Sequence, residues 1–149
     1  MTSLSPGEVS MDATSHLFES TREGLRSLRE LQAIYDADMW DIDDPAFANM
    51  RHIHLHLSIT LGKIAKLVEP RDHRAYHGET VDVAECADEL RPILADLLIH
   101  AAQIANLIDG DLGTMLEDRY HQNAERFAPK SVFAGSQVGA ELVGGAASS

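Results

Sequence analysis

At 149 residues the chain is enough for one domain, which at this size buries roughly two-thirds of the surface its unfolded form exposes. A net charge of −12 repels a nucleic-acid backbone and argues against DNA or RNA binding as the main role. The longest apolar run falls far short of the ~20 residues that a membrane span needs, and aromatic residues at 5% beside abundant Leu, Ile and Ala favour helices over a β-sandwich.

Taken in chain order, residues 1–14 carry Ser, Thr, Gly and Pro without a period and read as a flexible leader. They lack the basic-then-apolar order of a secretory signal. Ser15 is placed to cap a helix from about His16 to Tyr35, with Leu17, Leu25, Leu28, Leu31 and Ile34 at helical spacing. The acidic stretch from Asp36 to Asp44 is irregular, and Asp44-Pro45 suits the start of a second helix. That helix is expected to run to Val68, bury Ile53, Leu57, Leu61, Ile64 and Val68, and stop at Pro70; residues 70–81 then read as a loop.

A helical pattern resumes near Val83 and lasts to Ile108, with a kink or a fresh start required at Pro92. Asp109-Gly110-Asp111 supplies a stop and then a cap, so the last helix spans Leu112 to Phe127. From residue 129 to 149 the chain is rich in Gly, Ala and Ser and reads as a flexible tail, in which Val132, Phe133, Leu142 and Val143 are the side chains able to dock. The expected architecture is therefore all-α: four helices, within residues 15–128, around one core. Cys86 is the single cysteine and forms no internal disulfide, which fits a reducing, cytoplasmic setting. Its acidic neighbours discourage a thiolate, so a small buried residue is expected there.

The chemistry-bearing residues concentrate between Arg51 and Phe127. The second helix carries Leu61-Gly62-Lys63-Ile64-Ala65, the third carries Ala95-Asp96-Leu97-Leu98-Ile99, and the fourth carries Arg119, Asn123 and Arg126-Phe127. In order and spacing this half of the chain resembles the MazG-like all-α nucleoside triphosphate pyrophosphohydrolases. The resemblance implies a four-helix MazG-like bundle, a homo-oligomer (most simply a dimer), and a Mg²⁺ site made by an ExxE pair on one helix and an ExxD pair on the next.

The matching positions here are Thr60, Lys63, Ile93 and Asp96, so one acid of four is kept. Mg²⁺ prefers a near-octahedral shell of oxygen ligands, and a lone Asp96 should hold it weakly. Glu85, Asp88 and Glu89 could substitute only if the helix were rearranged. The expectation is a MazG-like protein with a decayed site, nucleotide-binding or regulatory in function. Its ligand would be a nucleotide met by Lys63, Asp96, Arg119, Asn123 and Arg126; the alternatives are a hydrolase with rearranged ligands and an assembly protein.

With the antiparallel register that the family suggests, Lys63 approaches Ile93 or Asp96 and pairs with an acid where a metal would sit. The same register sets His56 opposite His100. With His52 one turn away and Asp96 one turn from His100, these four could form a transition-metal site. The commoner role for such histidines is hydrogen bonding near a helix interface, and His73 and His77 are expected to be solvent-exposed.

Overall fold

A computed structural model describes residues 11–39 and 46–134; the 1–10 part of the leader, the Asp44-Pro45 start and the tail from 135 lie outside the described residues. The described residues form four α-helices and no strand: α1 (Met11–Met39), α2 (Ala46–Tyr76), α3 (Ala87–Leu107) and α4 (Leu112–Phe127), with a 3-10 turn at Val83–Cys86 before α3. The chain divides into two compact units, Met1–Ser27 with Asp111–Ser149, and Leu28–Gly110. Helix α1 supplies residues to both.

In the unit Leu28–Gly110, α2 and α3 make the most extensive helix–helix contact. They run antiparallel: Lys63 meets Asp96, and His56 stands beside His100. Ile53, Thr60, Ile93, Ala102 and Ala105 are buried. Leu61 and Val68, expected in the stripe, are half exposed instead.

Helix α2 does not stop at Pro70 but continues to Tyr76. Pro at such a position removes one backbone donor and crowds the preceding turn, at a cost of about 3 kcal/mol. Two arginines beyond it tie the extra turns down. Arg71 donates to the Leu67 and Glu85 carbonyls, each at 2.8 Å, and Arg74 donates to the Glu79 and Glu85 carboxylates at 2.8 and 2.7 Å. Glu85 also closes a capping box with Asp82 at the start of the 3-10 turn. The Arg74 hydrogen bond, followed by that from the Asp82 backbone, holds the Glu85 carboxyl below the usual range, and Glu79 and Glu85 raise the Arg74 guanidinium.

Helices α2 and α3 finish with the same hydrogen-bond pattern. Glu79 N–H reaches back to the Arg74 carbonyl at 3.1 Å, and Gly110 N–H to that of Ala105 at 2.8 Å. The pattern needs a left-handed residue before the reaching donor. Gly78 (φ 84) supplies it in the first case and Asp109 (φ 49) in the second. Within α3, Pro92 is passed without a break, and the fresh start comes earlier, at Ala87. The carbonyl four residues before Pro92 belongs to exposed Asp88, where water can satisfy it.

Helix α1 starts at Met11 rather than at a Ser15 cap. In this same unit its inward face is not the expected leucine stripe: Gln32 is 4% exposed, while Leu31 and Ile34 are 64% and 69% exposed. Polar tethers explain the choice. Asn106 of α3 accepts from Arg29 Nε and donates to the Arg29 carbonyl, both at 3.0 Å, and Gln103 donates to Asp36 at 2.9 Å.

In the other unit the first half of α1 lies against α4. Asp111 caps α4 by accepting from Thr114 N–H at 3.0 Å, and the helix keeps the expected bounds Leu112–Phe127. The helices approach closely at Gly113, where an added β-carbon would stand 2.6 Å from Arg22 Cγ and 2.7 Å from its Cα. Arg22 pairs with Glu117 one turn further on. Residues 128–134 turn back so that Phe133 packs edge-on against Phe18 (5.9 Å between ring centres) and beside Tyr120 (5.7 Å), with its carbonyl against His121 Nδ1. The start of the expected tail is therefore held by an aromatic cluster.

Candidate functional site

The unit Leu28–Gly110 contains a cavity of about 390 Å³, within the range of small-molecule sites. Tyr35 and Asp36 of α1, His52 and His56 of α2, and Asp96 and His100 of α3 are among its walls. Three helices thus contribute, and the histidines reach it because 52 and 56, like 96 and 100, are one helical turn apart.

At one edge Lys63 Nζ stands 3.3 Å from Asp96 Oδ2, with the two side chains 51% and 38% exposed. This is the pairing that the antiparallel register predicts. The neighbouring positions are not open ligand sites. Thr60 is 2% and Ile93 4% exposed, so both are packed into the helix seam. An acid at either position would be a buried charge in a space now filled by an alcohol and a branched alkyl chain. The two positions that the resemblance aligns with metal-binding acids are therefore core positions of the α2–α3 seam.

The imidazoles cluster at the other end of the Asp96–His100 turn. The His52 and His56 ring centres are 4.4 Å apart, and those of His56 and His100 are 6.4 Å apart. His100 Nδ1 lies 3.2 Å from Gln103 Oε1; Gln103 Nε2 donates to Asp36 Oδ1 at 2.9 Å, and Gln32 Nε2 donates to the same oxygen at 2.8 Å. This chain was not legible in the sequence. Its only signal was Gln32 and Asp36 at i, i+4 on α1, opposite an equally unremarkable Gln103. Among the described residues no three His, Cys, Asp or Glu side chains already surround one point closely enough to hold a metal ion.

The remaining sequence candidates sit on α4, in the other unit. Arg119 and Asn123 are exposed, and the Arg126 guanidinium lies 4.9 Å from the centre of the Phe127 ring. His73 and His77 are exposed, and Cys86 is buried, its thiol 3.2 Å from the Val83 carbonyl. No protein-family model, curated protein or solved structure matches the chain. No single helix among the described residues is long and apolar enough to cross a membrane.

Proposed function

We propose that this protein is a MazG-like helical homo-oligomer, most simply a dimer, that binds a phosphorylated nucleotide without the family's Mg²⁺-carboxylate hydrolysis. One observation carries the reading: Lys63 lies on Asp96, between buried Thr60 and Ile93, at the four positions where the resemblance expects metal-binding acids. An ammonium group keeps one positive charge there without requiring an oxygen cage. It is free to exchange Asp96 for a phosphate oxygen, a charge-assisted hydrogen bond of similar kind. The adjoining cavity offers room for a base or sugar. Arg119, Asn123 and Arg126 belong to the reading through the sequence pattern on α4. Oligomerisation is supported by Leu31, Ile34, Leu55, Ile59, Leu94 and Leu98, all more than half exposed.

The test is a thermal-shift and titration series with nucleoside triphosphates in EDTA and then in Mg²⁺. Stabilisation in EDTA is expected, reaching about 2.7 kcal/mol at a hundredfold excess over Kd. Lys63→Glu should abolish it, and Asp96→Asn, which frees the ammonium, should not. Pyrophosphate release abolished by Asp96→Asn would establish a hydrolase instead. Neither binding nor release, with a stable oligomer in light scattering, would establish an assembly protein. A monomer at micromolar concentration would overturn the oligomer.

A further inference from the structure

The hydrogen-bond chain behind His100 fixes something the ring positions alone do not. Ionised Asp36 is an acceptor only, so the Gln103 group facing it must be the NH₂, and the Gln103 carbonyl oxygen must face His100. His100 Nδ1 is then the donor. In the neutral ring Nε2 carries the lone pair, and it belongs to a side chain that lines the cavity. Histidines that bind metals are commonly held in this way, with the second nitrogen donating to an amide or carboxylate behind the ring.

We propose that His52, His56 and His100 bind a borderline transition-metal ion of the Zn²⁺ or Ni²⁺ kind, with Gln103 and Asp36 as positioning residues. Imidazole nitrogens bind such ions at about 2.0–2.1 Å, which puts the ring centres of two ligands roughly 4.5–5 Å apart. The His52–His56 pair, at 4.4 Å across one turn of α2, lies just below that spacing and needs only a slight opening. His56 and His100, at 6.4 Å, must close by more than 1 Å, because the three rings do not yet surround one point. His56 is exposed and turns about its side-chain bonds without disturbing a packed neighbour's core position. Asp96 is left out of the ligand set because Lys63 holds it. Nitrogen-only ligation selects against Mg²⁺ and Ca²⁺ and for the later first-row ions. Three imidazoles leave a fourth position for water or an anionic oxygen. The proposal does not depend on nucleotide binding.

The experiment uses the full chain, stripped with EDTA and titrated with Ni²⁺, Zn²⁺ and Co²⁺ by calorimetry, with Co²⁺ absorption as a report of nitrogen coordination. One ion per chain is expected at micromolar affinity. His56→Gln and His100→Gln should each weaken it at least tenfold, and His73→Gln with His77→Gln should leave it unchanged. Gln103→Leu should weaken it by a smaller factor. In the metal-free protein, nitrogen NMR should find the His100 proton on Nδ1, and Gln103→Leu should redistribute it to both nitrogens. Circular dichroism of each variant separates lost ligation from lost fold. Binding no tighter than millimolar, or binding lost with His73 and His77 but kept without His56 and His100, would overturn the proposal.

Discussion

The two compact units bring helices together in opposite ways. Between α1 and α4, Gly113 lets the backbones approach until no β-carbon fits, and Phe133 closes one side with an aromatic cluster. Between α2, α3 and the second half of α1, polar side chains hold the helices at a spacing that leaves about 390 Å³ open. Glycine and aromatic packing fill space and give a structural joint. Amide and guanidinium tethers fix distance without filling space and give a site.

The largest expected effect tests the close joint. Gly113→Ala places a carbon 2.7 Å from a backbone atom of Arg22, which no rotamer change relieves. A loss of about 2–3 kcal/mol is expected from urea unfolding midpoints. A change under about 0.5 kcal/mol would mean that the joint is looser than the glycine implies. Next comes Phe133→Ala, which empties one seat of the aromatic cluster. Phe133 is half-buried, so about 2 kcal/mol is expected, below the range for a fully buried ring.

The same glycine substitution in the open unit should have the opposite sign. An added β-carbon at Gly62 meets nothing within 4 Å. Gly62→Ala should therefore raise stability by about 0.5–1 kcal/mol, through the smaller entropy loss of alanine in a helix interior. Destabilisation by that variant would reveal that this face is covered in the working protein.

The smallest effect concerns pH. The Glu85 carboxyl is held below its ordinary value by Arg74. Its contribution is fully present above the ordinary glutamate range near ~4.3 and is lost as pH falls through the lowered folded value. Thermal melts from pH 5 to 3 should decline slightly more steeply for the wild type than for Glu85→Gln. Equal slopes would show that this exposed tether contributes nothing to stability.

The sequence made legible what depends on local pattern. Helix α4 has the anticipated bounds because Asp111 caps it and Asp109-Gly110 ends the helix before it. The Lys63–Asp96 and His56–His100 pairings match the antiparallel register that the resemblance suggested, which the local pattern alone did not supply. What failed depends on partners distant in sequence. Pro70 looked like a stop because the tie from Arg71 to Glu85, fourteen residues apart, is invisible locally. The leucine stripe of α1 looked like core because the pull of Asn106 on Arg29 spans 77 residues. Thr60 and Ile93 stood out only as non-acidic positions in the resemblance, and their burial in the α2–α3 seam depends on packing that no local pattern reveals.

Cys86 gives the molecule a built-in reporter. It is the sole thiol, 5% exposed, in the 3-10 turn that Arg71 and Arg74 hold to the end of α2. A thiol reagent can modify it only when that corner opens, so the labelling rate counts openings of one place. At low denaturant a rate set by partial opening would be nearly insensitive to denaturant, and a rate set by global unfolding would climb with it. The crossover between the two regimes would measure how much more readily the Pro70 end of α2 opens than the whole chain unfolds.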